Sequence, residues 1–423
     1  MRTYRMKALV TLAAAAVALV SVAAVRADVA SDRAAAILIF PRVLYSAFQI
    51  DEPPVFVHQG VDTVIQLTNT TNQLVSLHCF YVSANSICSL SGFVCDAEHF
   101  GVGCPLPQDV CLPRWMETDF RVDVTAQQPL VWKVSAGLRQ GDLPLDGVVR
   151  RGPTGQSNAG TSIPPVPTDP IPMATAATFD TFSGELKCVV VDGTGRAIPR
   201  NAIKGEATLI TQITSSSSEM SQQEIPAVEK YNGIGIHAID GDSNDDGVLE
   251  LGGGANEYNG CPNVLIVNHV FDNFTSMTNL QANSPLPELT EGLQMPIRSL
   301  SELTLVPCSE DLRRQIPGHT VAQFLVFNEF EQRFSTSATV DCFFRHYLSD
   351  IDTSDPTRSI FSAGVAGTTV GQTRIRGVSG GLLGVLSEFN SSSVLFLPFG
   401  GLDDANNLHF QGNRENPDFI VLP

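Results

Sequence analysis

The chain has 423 residues, 43% of them hydrophobic, and its 44 acidic against 26 basic side chains give a formal charge of −18. This length and hydrophobic content exclude a disordered chain and allow two or three domains with cores of their own. The acidic field repels phosphate backbones, and no basic stripe is interleaved with aromatics. Both features argue against nucleic-acid binding and favour cations as partners.

The chain opens with Arg2, Arg5 and Lys7, an uncharged apolar stretch over 8–24 and a small-residue pattern at Val25-Arg26-Ala27. This is the pattern of a cleaved signal peptide over 1–27, with the mature protein starting near Asp28. Cleavage removes Arg2, Arg5, Lys7 and Arg26 and moves the formal charge from −18 to −22. The apolar stretch falls short of the ~20 residues a spanning helix needs, and nothing later approaches that length. A secreted, cell-surface or periplasmic protein that is not membrane-embedded is expected.

Beyond the signal, helical periodicity is scarce and strand-like alternation common. Strands are predicted at 62–69, 75–82, 119–125, 130–134, 185–192, 206–214, 264–271, 303–306, 321–328, 339–347, 373–378 and 394–399. Each is rich in β-branched and aromatic residues, and Gly, Pro, Asn and Ser clusters separate them. The proline-rich segment 152–172 is expected to be an extended surface loop or linker, because proline cannot donate to a ladder.

All nine cysteines follow the signal, in a compartment that favours oxidation. Cys88, Cys95, Cys104 and Cys111 lie in Gly/Pro/Asp-containing sequence without apolar periodicity, which predicts a long loop stapled by two local bridges. A zinc site from these residues and His99 is disfavoured, since the spacings lack the close cysteine pairs of structural zinc. The odd total leaves one thiol free or one bridge between chains.

Three blocks recur in the same order. Ile37-Leu38-Ile39-Phe40-Pro41 matches Leu303-Thr304-Leu305-Val306-Pro307; Gln66, Leu67 and Asn69 match Gln323, Leu325 and Asn328; Leu77-His78-Cys79-Phe80 matches Val340-Asp341-Cys342-Phe343. The expected fold is therefore all-β, as two immunoglobulin-like β-sandwich domains over 28–300 and 301–423. The first is enlarged by cysteine-rich, proline-rich and acidic loops. Alternation along 75–81 places His78 on the face away from the core, a solvated position that does not suit catalysis.

Gly377-Val378-Ser379-Gly380-Gly381 fits G-x-S-x-G, with Asp403, Asp404 and His409 downstream. A nucleophile elbow needs a following helix and further βα units, whereas these residues read as strand and loop. The same stretch bears a weak likeness to the G-D-S-G-G of chymotrypsin-like proteases, with Val378 in place of the aspartate. H-E-x-x-H and P-loop motifs are absent. The reading is a non-catalytic, surface-associated binding or structural protein with an unidentified extracellular ligand. Its alternatives are an extracellular serine hydrolase using Ser379 and a subunit of an extracellular filament or coat.

The acidic segment 240–250 (DGDSNDDGVLE) is expected to bind calcium through Asp240, Asp242, Asn244, Asp246 and Glu250. Asp242, Asn244, Asp246 and Gly247 fit D-x-[DN]-x-[DN]-G, in which alternate oxygens converge on a hard cation. The bidentate glutamate at position twelve is missing and the flanks read as strands, so a structural site with Kd of about 10^-4 to 10^-3 M is expected.

Overall fold

The computed structural model describes residues 29–52, 55–95, 104–112, 115–138, 162–172, 178–217, 223–239, 247–252, 257–273, 275–279, 294–392 and 404–423. The fold is all-β. In chain order the strands of the first half are β1 (Val29–Ala30), β2 (Ile37–Glu52), β3 (Val55–Asn69), β4 (Val75–Ser83), β5 (Ile87–Cys88), β6 (Cys111–Leu112), β7 (Met116–Val124), β8 (Pro129–Lys133), β9 (Asp169–Pro172), β10 (Thr178–Val191), β11 (Ile203–Ser217), β12 (Gln223–Asn232) and β13 (Ile234–Ile236). Then follow β14 (Val248–Leu251), β15 (Pro262–Val270), β16 (Thr275–Asn279), β17 (Gln294–Pro307), β18 (Glu310–Asp311), β19 (His319–Asn328), β20 (Arg333–Asp341) and β21 (Phe344–Tyr347). The four-residue helix α1 (Ala363–Ala366), β22 (Val370–Gly377), β23 (Leu382–Ser392), β24 (Asp404–Asn407), β25 (His409–Asn413) and β26 (Asp418–Val421) complete the described chain.

An eleven-stranded sheet folds over itself because β2 pairs with β10 through Ile37–Ser46 and with β3 through Ser46–Glu52. The layers β13-β2-β10-β4-β7 and β12-β11-β3-β8 then face each other. Period-two alternation aims Leu77, Cys79 and Tyr81 of β4 at Ile65, Leu67, Leu130 and Trp132. Trp132 Nε1 donates to Tyr81 Oη at 2.7 Å, so the core indole is satisfied across the layers.

The later strands make a second pair of layers. Sheet β20-β19-β22-β15-β25 packs on β16-β17-β23-β24 around Phe324, Phe344, Phe361 and Leu305. The small sheet β14-β26-β18 covers the remaining face of the β2-β10-β4 layer, where Ile37, Ile39, Phe80 and Val189 meet Leu249, Leu312, Leu383 and Ile420. The boundary expected at 300/301 falls inside β17, and β14, β15 and β16 pair with later strands.

Three expectations are corrected here. His78 is only 5% exposed, with its Nε2 2.7 Å from Asp119 Oδ2, because the face it shares with Phe80 is covered rather than solvated. In the proline-rich segment, Ile163 and Val166 are core residues and β9 pairs with Thr178–Thr181. Proline is tolerated in β9 because, among the described strands, it pairs with β10 alone. The strand expected over 339–347 breaks at Cys342, whose φ of 56° turns β20 into β21. The strand expected at 394–399 lies outside the described residues.

Buried asparagines hold equivalent turns in the two halves. Asn69 ends β3, accepts from Thr71 N at 2.9 Å and donates to Gln73 O at 2.7 Å. Asn328 ends β19, accepts from Phe330 N at 3.0 Å and Gln332 N at 2.9 Å, and donates to Gln332 Oε1 at 2.7 Å.

Candidate functional site

Charged groups are buried where the two halves meet. Arg42 on β2 is 2% exposed and pairs with Glu302 of β17; its Nη2 lies 3.7 Å from Glu229, and Arg345 Nε reaches the second Glu302 oxygen at 3.0 Å. Burial acts to lower the Arg42 pKa, but Glu302 and Glu229 more than offset this and hold the guanidinium charged. Lys187 on β10 is enclosed by Glu185, at 3.1 Å, and by Glu310 of β18. Burial likewise disfavours its charge and the two carboxylates restore it, while burial holds Glu185 above the usual carboxylate range. Burial, with Asp119 and Glu310 nearby, also raises Glu117 to about 7. These clusters tie one half to the other, since removing either cation would strand carboxylates without water.

The cysteines pair as Cys79–Cys188, Cys88–Cys104, Cys95–Cys111 and Cys261–Cys308. The four loop cysteines are thus bridged among themselves, and Asp109 braces the loop by accepting from Leu90 N at 2.7 Å and Ser91 N at 3.1 Å. As disulfides these sulfurs cannot ligate zinc as thiolates, and His99 lies outside the described residues. The same holds for Cys261 and Cys308, which lie close to Asp418. Cys79 and Cys188 sit opposite each other on adjacent strands of one layer, with Cα atoms 4.0 Å apart, whereas the immunoglobulin disulfide ties two facing layers. Cys342 is the free cysteine and is buried; its desolvated thiol is pushed up in pKa.

Ser379 lies in the tight connection between β22 and β23. Its hydroxyl bonds Thr320 Oγ1 at 3.2 Å, and Gly381 N donates to Asp418 Oδ1 at 2.9 Å. The glycines of the motif have steric reasons: a Cβ on Gly377 would lie 2.0 Å from Gly380 O, and one on Gly381 would lie 2.5 Å from Cys261 Cβ. Asp404 is placed opposite Glu388 on β23 and His409 opposite Ile266 on β15, while Asp403 lies outside the described residues. Among the described residues the Ser379 hydroxyl thus bonds a threonine hydroxyl and not a base.

Of the expected calcium ligands, Asp240, Asp242, Asn244 and Asp246 lie outside the described residues. Glu250 is on β14, opposite Phe419, and its N–H donates to Glu257 Oε2 at 3.1 Å. Gly247 has φ 77°, a left-handed turn that glycine adopts readily.

The sequence does not reveal a further surface, because three non-consecutive strands build it. Alternation in β22 points Thr373 and Ile375 inward and leaves Arg374 and Arg376 exposed. Pairing sets Leu325 beside Arg374 and Gln323 beside Arg376, and β15 adds Ile266 next to Arg374. Arg374 lies over the Phe327 ring at 5.5 Å from its centroid, and Gln372 Nε2 donates to Asn268 Oδ1 at 3.1 Å. Among the described residues no carboxylate pairs with Arg374 or Arg376. At one end of this face a groove of about 680 Å³ is lined by Phe327, Gln372, Asn268 and Arg333 together with Glu329 and Glu331, so the anion-binding part of the face is the stretch around Arg374 and Arg376. A flat, half-apolar face with unpaired guanidinium groups suits an extended anionic ligand, held by ion pairs along the strands and apolar contact between them.

No helix among the described residues is long and apolar enough to cross a membrane. Comparison with known protein families finds none that matches this chain, and comparison with curated proteins finds no significantly similar sequence.

Proposed function

We propose that this is a secreted, non-catalytic β-sandwich protein that binds an anionic extracellular ligand and so associates with the cell surface. The observation that carries this reading is the pair of arginines on the outer face of the five-stranded sheet. On a chain of formal charge −18, two neighbouring exposed cations without a carboxylate partner among the described residues are a local inversion of the global field. The acidic loop at 240–250 takes calcium in this reading and stabilises the fold. The two halves are related immunoglobulin-like units, a relation supported by the matching Asn69 and Asn328 turns.

Co-sedimentation of the purified mature chain with the surface fraction of the producing cells tests this proposal. Binding should be lost on adding salt and in Arg374→Glu/Arg376→Glu, with folding unchanged. Equal binding by the charge-reversed variant, or none by the wild type, overturns it.

A further inference from the structure

We infer that two copies of this chain pair antiparallel through β20, in register about Ser337. This does not rest on the ligand proposed above, although Arg333 at this edge also lines the groove at one end of the arginine-bearing face.

Both ends of the eleven-stranded path carry devices that discourage pairing. Edge strand β12 contains Pro226 and Lys230, and edge strand β7 contains Glu117, Asp119, Arg121 and Asp123. By contrast β20, Arg333-Phe-Ser-Thr-Ser-Ala-Thr-Val-Asp341, has no proline and no charge between its ends. It pairs with β19 alone among the described strands. Its inward row is also incompletely covered. In β19 the inward residues Thr320, Ala322, Phe324 and Val326 are all buried, but in β20 Phe334, Thr336 and Ala338 remain half-exposed. A further strand along this edge would satisfy the free peptide groups and close that row over.

The sequence of β20 is its own complement. A two-fold axis midway between the two copies of Ser337 sets Arg333 opposite Asp341 of the second copy, and the reverse. The same operation sets Ser335 opposite Thr339, Phe334 opposite Val340 and Thr336 opposite Ala338. Two ion pairs thus fall on the outer face and two apolar contacts on the inner one, as an isologous interface requires. Asp341 accepts from His319 Nδ1 through Oδ1, which leaves Oδ2 for the incoming guanidinium. The axis stands perpendicular to the sheet, so both arginine-bearing faces lie on the same side of one continuous ten-stranded sheet. A repetitive surface polymer could then engage both at once.

Cross-linking tests the register directly. Ser337→Cys places two thiols opposite each other, the arrangement that lets Cys79 and Cys188 join on β4 and β10. Under oxidising conditions it should give a covalent dimer. Gln323→Cys, one strand further in, should not, because its two copies would stand well beyond the ~7 Å Cα limit for a disulfide. Sedimentation at about 100 µM should show a dimer for the wild type, at least roughly tenfold weaker association in Arg333→Asp, and recovery in Arg333→Asp/Asp341→Arg. A monomeric wild type without the Ser337→Cys cross-link overturns self-pairing and leaves the edge to a strand from another protein. Failure of the double swap to recover association overturns the register.

Discussion

The β2-β10-β4 layer is buried on both faces, whereas the β20-β19-β22-β15-β25 sheet is buried on one and open to solvent on the other. Both carry charged residues at alternating positions, yet with different consequences. Lys187 is enclosed by Glu185 and Glu310, and Arg42 by Glu302 and Glu229, while Arg374 and Arg376 remain exposed. A buried charge is tolerated only when paired, so the first set works as joints between halves. The second set is free to meet something outside the chain.

The largest effect should come from breaking a joint. Arg42→Ala leaves Glu302 and Glu229 buried with less compensation and should cost about 3–5 kcal/mol of stability in denaturant unfolding. A loss below about 1 kcal/mol would mean that water reaches the seam.

The inner side of the open sheet offers a pH test. His269 on β15 is buried, with Nε2 2.8 Å from Thr373 Oγ1, and burial lowers its pKa to about 4. The unfolded chain, with histidine near 6.5, binds more protons than the folded one between those values. Its contribution is therefore complete above about pH 6.5 and is lost as pH falls toward 4, by at most about 3 kcal/mol. His269→Gln should flatten that slope in melts recorded across pH 4–7; an unchanged slope would place the acid sensitivity elsewhere.

The matching turns sharpen the comparison between halves. Asn69→Ala and Asn328→Ala each orphan buried backbone groups and should each cost about 1–3 kcal/mol in chemical denaturation. Similar losses support two related units, and a large loss at one with none at the other counts against them. The smallest effect on stability is expected on the open face. Arg374→Glu/Arg376→Glu should shift unfolding by no more than about 0.5 kcal/mol, because neither side chain is buried.

Much of this was legible in the sequence, and the rest failed for identifiable reasons. Alternation and β-branched or aromatic content located most strands, including β4 and β10 of the layer buried on both faces, and the short cysteine spacings indicated a locally stapled loop. His78 misled because it alternates with core residues and so looks solvated, and the same alternation hides the burial of Lys187. Their cover comes from β7, from the small sheet and from Glu310, which lies 123 residues after Lys187 and leaves no local trace. The arginines of Thr-Arg-Ile-Arg on β22 were readable as outward-facing, but their union with Gln323 and Leu325 depends on β19 pairing with β22. The glycines of the serine motif pack tightly beside a disulfide, a steric need that motif matching does not distinguish from that of an elbow. Most of the acidic loop lies outside the described residues, so the proposal that it binds calcium rests on the ligand pattern.

Oxidative footprinting of the mature chain, free and bound to the surface fraction of its producing cells, tests the central claim most directly. Half-exposed Leu325, Phe327 and Ile266 on the arginine-bearing face should become protected on binding, while exposed Leu90 in the stapled loop should not. Protection at Leu90 with unchanged reactivity at Leu325 and Phe327 would contradict the assignment of that face as the binding surface.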